Sequence, residues 1–177
     1  PRSTPTPSSA ASDVYKRQVL RRLRVACLST GDEILEVGDA PREGAVYDSN
    51  RYTVTALLER LGCEVIDLGL VRDDPASLAA AVQRAAREAD AIVTSGGVSA
   101  GAADHTRDVM RQLGDIAFWR VAMRPGRPMA VGLIPREPQG SESAVLFGLP
   151  GNPVAVMVTF LAFVRPALLR MMGLSLI

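Results

Sequence analysis

From Leu23 onward, short apolar runs alternate with longer segments in which apolar residues recur at helical spacing. LRVACLS (23–29) is a continuous apolar run closed by a glycine turn, which predicts a strand covered on both faces, as in a parallel sheet. Asp48, Ser49 and Asn50 supply capping side chains ahead of Val54, Leu57, Leu58 and Leu61, predicting a helix that Gly62 ends. CEVIDLGLV (63–71) is the next predicted strand. Asp73-Asp74-Pro75 then opens an Ala-rich helix to about Ala89, with proline in the first turn, where its missing N–H is no loss. DAIVTSGG (90–97) predicts a third strand running into glycines, and Asp104 to Leu113 a helix stopped by Gly114. After this the rhythm changes. IAFWRVAM (116–123), MAVGLI (129–134) and SAVLFGL (143–149) read as strands separated by turns, and Pro153 starts a long helix to about Met172.

Strands alternating with helices predict an α/β chain, a three-layer α/β/α sandwich with a mostly parallel sheet, because each parallel crossover needs a helix to return the chain. Residues 1–20 stand apart as a disordered or artefactual leader: PRSTPTPSSAASDV lacks apolar periodicity, and SSAASDVYKRQ resembles adapter-derived sequence. The single domain is expected over 21–174.

Composition narrows the class. With 47% hydrophobic residues and a formal net charge of +1, the chain reads as a soluble globular protein rather than a disordered or membrane-bound one, and nothing argues for nucleic acid. No uninterrupted apolar run reaches the roughly 18–20 residues of a membrane span. The longest candidate, Val154 to Leu169, is interrupted by Thr159 and Arg165 and reads as a mostly buried helix. The leader lacks the apolar segment of a secretory signal, which points to the cytoplasm. Cys27 and Cys63 form no CxxC and no cluster with His105, so buried free thiols are expected rather than a zinc site.

Four glycine turns carry the candidate chemistry: Ser29-Thr30-Gly31-Asp32-Glu33, Thr94-Ser95-Gly96-Gly97-Val98-Ser99-Ala100-Gly101, Arg124-Pro125-Gly126-Arg127-Pro128, and Leu149-Pro150-Gly151-Asn152-Pro153. Open α/β sheets bind ligands beyond the carboxyl ends of their strands, and glycines there let backbone N–H groups approach an anion. The hydroxyls of Thr30, Ser95 and Ser99 suit phosphate oxygens. No GxGxxG follows the first strand and no P-loop motif occurs, which argues against a dinucleotide oxidoreductase or a P-loop enzyme. Glu33, Asp73, Asp74 and Asp104 fall near separate strand ends, a set that suits Mg²⁺ completed by substrate phosphates. Arg120, Arg124 and Arg127 bracket a Pro-Gly turn and could hold oxyanions. Each motif also has a plain structural reading. Asp73-Asp74-Pro75 serves as a helix cap, SGGVSAG as a tight connection, LPGNP as a turn into the last helix, and Arg120 as an outward strand charge.

Taken in order, STGDE, YDSN, LGLVRDDP, TSGGVSAGAADHT, FWRVAMRPGRP and LPGNPVAVMVTF resemble the central MoCF-type, molybdopterin-binding domain of the MoeA/gephyrin-E family, from about Arg24 to Gly173. The resemblance implies molybdenum-cofactor biosynthesis: Mg²⁺-dependent insertion of molybdate into adenylylated molybdopterin, with release of AMP, by a molybdopterin molybdenumtransferase. It places Glu33, Asp74 and Asp104 at the family's acidic catalytic and Mg²⁺ positions. Pterin or phosphate contacts are expected at Thr30, Gly31, Ser95, Gly96, Gly97, Ser99, Gly101, Pro150, Gly151 and Asn152. Arg120, Arg124 and Arg127 are the expected molybdate or anion contacts, Arg120 and Arg124 standing where many relatives carry lysine. The resemblance further implies a MogA-type adenylyltransferase as partner and a homodimer for the full-length protein, with no nucleic-acid or membrane partner. Flanking domains are implied too, residues 175–177 beginning the C-terminal one, so this piece is expected to be only partly active. A MogA-type adenylyltransferase and a non-catalytic pterin-binding module are the alternatives.

Overall fold

The computed structural model describes residues 19–96, 104–137 and 140–175, side chains at 104–108 and 118–119 excepted. Among the described residues the strands are β1 (Arg24–Thr30), β2 (Ile34–Leu35), β3 (Val46–Tyr47), β4 (Glu64–Val71), β5 (Ala91–Ser95), β6 (Asp115–Arg120), β7 (Pro128–Pro135) and β8 (Ser143–Leu149). The helices are α1 (Asn50–Arg60), α2 (Pro75–Glu88), α3 (Asp104–Leu113), α4 (Pro153–Thr159) and α5 (Arg165–Met171), the last two joined by a π-helical turn over Phe160–Val164. Pro166 follows that turn and has no N–H to offer the preceding carbonyls, a local cause for the change of pitch.

Six strands form one sheet in the order β4-β1-β5-β8-β7-β6. β4, β1, β5 and β8 run parallel, while β7 is antiparallel to β8 and β6 antiparallel to β7. The mostly parallel sandwich expected from the sequence is therefore found, with a β6–β7 hairpin closing one side. Period-two alternation divides the side chains between two cores. Ala26, Leu28, Ile92, Ala144 and Leu146 pack under α2 and α3, against Leu78, Val82, Ala85 and Met110. Val25, Cys27, Val93, Phe147 and Leu149 pack under α1 and the last helix, against Val54, Leu58, Val156, Phe160, Val164 and Leu168.

Local sequence explains the helix starts only in part. Asp74 caps α2, its carboxylate accepting from the Ser77 N–H at 2.9 Å, and Asn152 caps α4 by accepting from the N–H groups of Val154 and Ala155 at 3.0 and 3.1 Å. Ser49, expected to cap α1, makes no capping bond; Asp48 does so instead, accepting from the Arg51 N–H at 3.1 Å. The last helix also departs from expectation. Pro153–Met171 is long and apolar enough to cross a membrane, with mean hydropathy 1.8, yet only 33% of that window is buried rather than most of it. It lies in an outer layer and packs along one side, leaving Val154, Met157, Leu161 and Phe163 exposed. Cys27 and Cys63 are buried free thiols, and burial pushes the Cys27 thiol up to about 12.

Candidate functional site at the carboxyl end of the sheet

The parallel strands end together. Thr30 pairs with Val71, Ser29 with Ser95, and Ser95 with Leu149, so the turns after β1, β4, β5 and β8 emerge side by side. Arg120 pairs with Pro128 across the hairpin, and Ala130 with Gly148, so the 121–127 loop leaves from the same end of the sheet. Three of the four glycine turns expected from the sequence are thereby described on one face, together with the start of the fourth.

Close backbone packing ties these turns together. Gly96 has φ +89°, and a Cβ built on it would run into the carbonyl oxygen of Thr30, so the strand ends approach as closely as they do only because residue 96 is glycine. The Gly96 N–H donates to the Leu149 carbonyl at 3.2 Å, which links the β5 turn to the β8 turn. Gly31 has φ +148°, and a Cβ there would meet the carboxylate of Glu33 at 2.8 Å. The acidic side chain therefore folds back over the end of β1. At the other side of the face, a Cβ on buried Gly126 would strike Thr159 and Met123, which seats the Arg-rich loop against the last helix.

Polar groups at this end divide into satisfied and orphaned. The Ser95 hydroxyl is buried and hydrogen-bonded to the Ser29 hydroxyl at 2.7 Å, on the α1 side of the sheet. On the opposite side of the same strands, Thr30 and Thr94 are buried with hydroxyls that have no partner among the described residues. Such atoms are destabilising unless water or ligand satisfies them. Arg120, Arg124 and Arg127 are exposed at the far side of the face. Asp74 is half-buried, and its hydrogen bonds with Ser77 hold its carboxyl below the usual range. Gly97, Ser99 and Gly101 lie outside the described residues, and Asp104 begins α3 with its side chain outside them. Among the described residues, no three His, Cys, Asp or Glu side chains gather as a metal cluster.

Two neighbours were not legible as site residues. Asn50, read from sequence as a cap, is 7% exposed and donates from Nδ2 to the Gly151 carbonyl at 2.8 Å, while its buried Oδ1 has no partner among the described residues. Arg51, beside it, is gripped by Asp48, Glu36 and Asp67 at 3.1, 2.5 and 2.5 Å. Periodicity does not expose either role, since both depend on segments distant in sequence.

Glycine turns, hydroxyls and arginines converge at the carboxyl end of the parallel strands, the place where open α/β domains as a class bind their ligands. The chain belongs to the family described as "Probable molybdopterin binding domain", whose model matches residues 26–170. It is 44% identical over 167 residues to a molybdopterin molybdenumtransferase of Haemophilus influenzae, covering 94% of this chain and 40% of that protein. A molybdopterin molybdenumtransferase of Nostoc is 40% identical, with 94% and 37% covered. The crystal structure of the molybdopterin biosynthesis MoeA protein from Pyrococcus horikoshii superimposes with a TM-score of 0.73 at 35% identity, covering 86% of this chain and 36% of that one. The chain thus spans about 40% of the length of the curated relatives it matches.

Proposed function

We propose that this domain is the molybdopterin-binding core of a molybdopterin molybdenumtransferase, acting in Mg²⁺-dependent insertion of molybdate into adenylylated molybdopterin with release of AMP. The observation that carries the reading is the convergence of the Thr30-Gly31, Ser95-Gly96, Pro150-Gly151-Asn152 and Arg120–Arg127 turns at one end of the sheet, in a member of the pterin-binding family. The names of the relatives support the reaction assigned to it.

The roles follow from chemistry. Backbone N–H groups at the glycine turns, with Ser99 and Gly101 beyond them, hold the pterin phosphate, and Arg120, Arg124 and Arg127 attract molybdate and phosphate as delocalised cations. Glu33, exposed over Gly31, fits the one or two carboxylates that Mg²⁺ takes from a protein, with Asp74, whose carboxylate also caps α2, as the second. Asp104 would complete the acidic set. When bound, Mg²⁺ would offset phosphate charge and favour departure of AMP, while the dithiolene sulfurs belong to the substrate. Residues 21–174 form the working domain, and a homodimer supplied by a MogA-type adenylyltransferase in the cytoplasm completes the picture.

Titration of molybdopterin into the purified chain tests this, with a Ser95→Ala, Ser99→Ala double variant beside it. Saturable binding that the variant weakens is expected. Absence of binding to folded wild-type chain and to the full-length protein alike would reject the reading.

A further inference from the structure

We infer that Arg51 is a positioning residue for Glu33, fixing the acidic wall of the site from beneath; the inference rests on the reading of that end of the sheet as the ligand site. Residues 31–49 leave the end of β1, form only the two-residue strands β2 and β3, and return to α1. A ribbon this short has little stability of its own. Within it, Ile34 pairs with Val46 and Leu35 with Tyr47, the Val46 N–H donates to the Glu33 carbonyl at 2.9 Å, and the Asp48 N–H donates to the Leu35 carbonyl at 2.9 Å. Glu33 is therefore held only as firmly as the ribbon is held to the body.

Arg51 supplies much of that hold. Its guanidinium, 7% exposed, donates from Nη2 to Glu36 at the end of the ribbon, from Nη1 to Asp67 on β4, and from Nε to Asp48 at the entry to α1. One planar fork thus joins three separate segments, its N–H donors held in a fixed geometry that a lysine ammonium only partly reproduces. Each carboxylate is used a second time: Glu36 accepts from the Leu70 N–H at 3.2 Å, Asp67 from the Gly69 N–H at 2.9 Å, and Asp48 from the Arg51 N–H at 3.1 Å. Asn50, the preceding residue, reaches the Gly151 carbonyl at 2.8 Å. The first turn of α1 consequently fixes two walls of the site at once, the Glu33 wall through Arg51 and the 149–152 turn through Asn50. Three carboxylates around one arginine are more than charge balance requires, and the arrangement makes sense as a mechanical clamp whose failure frees the ribbon.

The test crosses Arg51→Met and Arg51→Lys with Glu33→Ala in the whole chain. Two quantities are read: the Mg²⁺-dependent part of molybdopterin affinity, and amide hydrogen exchange along the chain. Arg51→Met should lower that part of the affinity about tenfold, as expected for coupled neighbours. It should also speed exchange across 31–49 while β1 and β5 stay protected, and Arg51→Lys should restore part of both. In the Glu33→Ala background, Arg51→Met should lower affinity no further. An equal loss in both backgrounds, or exchange that rises across the whole sheet, would mean that Arg51 only stabilises the fold and overturns the inference. Binding that Glu33→Ala leaves unchanged overturns it while leaving the glycine-turn site intact, whereas absence of binding to the folded wild-type chain and to the full-length protein alike overturns both.

Discussion

Gly96 sets how closely the strands of the site approach, and the reason is steric. At Gly96 the φ of +89° lies in a region that side chains strain to enter, and the space where a Cβ would stand is occupied by the Thr30 carbonyl. Backbone, unlike a flexible side chain, yields only by moving the strand. Gly96→Ala should therefore destabilise the domain by about 1–3 kcal/mol and weaken molybdopterin binding together, read by urea unfolding and by titration. A variant with full stability and full affinity would show that the strand ends need not be so close. The buried hydroxyls of Thr30 and Thr94 follow the same logic in reverse. They lack partners among the described residues, and so a polar ligand or ordered water beside them is stabilising.

At the scale of elements, the end of the sheet opposite the site is held by charge. Asp90, just before β5, accepts from the Arg21 guanidinium at 2.6 and 2.7 Å, from the Arg24 N–H at 2.9 Å and from Arg136 at 2.9 Å. It thereby joins the segment entering β1 to the end of β7. The hydrogen bond from Arg21, with the Arg24 N–H and Arg136 behind it, holds its carboxyl at about 2. Because the folded value is depressed, the stabilisation is present above the ordinary carboxylate range and is lost as pH falls toward about 2. Asp90→Asn should cost about 1 kcal/mol at neutral pH, discounted because Arg21 is largely exposed, and the gap from wild type should close below pH ~4 in urea titrations. A gap independent of pH would assign the loss to shape rather than charge. A groove of about 520 Å³ near the same end is lined by Arg87, Arg111 and Arg136. Arg87 and Arg111 sit in the last turns of α2 and α3, where cations offset the helix dipoles, so the groove has a structural explanation.

Across the whole molecule, one sheet is shared by two cores, so neither can melt alone. Leu146 lies fully buried under α2 and α3, and Leu168 fully buried on the last helix against the other face. Leu146→Ala and Leu168→Ala should each lower stability by about 2–5 kcal/mol within a single transition, with Trp119 fluorescence and far-UV circular dichroism coinciding. Separate midpoints for the two probes would contradict a shared core. The exposed stripe of Val154, Met157 and Leu161 begins beside the site's 149–152 turn.

Sequence alone determined the strands of the sheet, the helices that return the chain and the glycine turns where ligands are expected, because apolar periodicity and turn chemistry are local properties of a few neighbouring residues. LRVACLS and DAIVTSGG could be read as buried strands without knowing their partners. The tertiary structure decided what no local pattern encodes: that Gly96 presses on Thr30 and Glu33 folds over Gly31. It also decided that Asp48 rather than Ser49 caps α1, that Ser95 spends its hydroxyl on Ser29, and that the last helix buries only one side. Arg51 is the clearest case, a charged residue in an ordinary helical turn whose partners at 36, 48 and 67 converge only once the ribbon and β4 are in place. A charge buried this deeply is tolerated because those three carboxylates replace the water it loses, and only the fold brings them together.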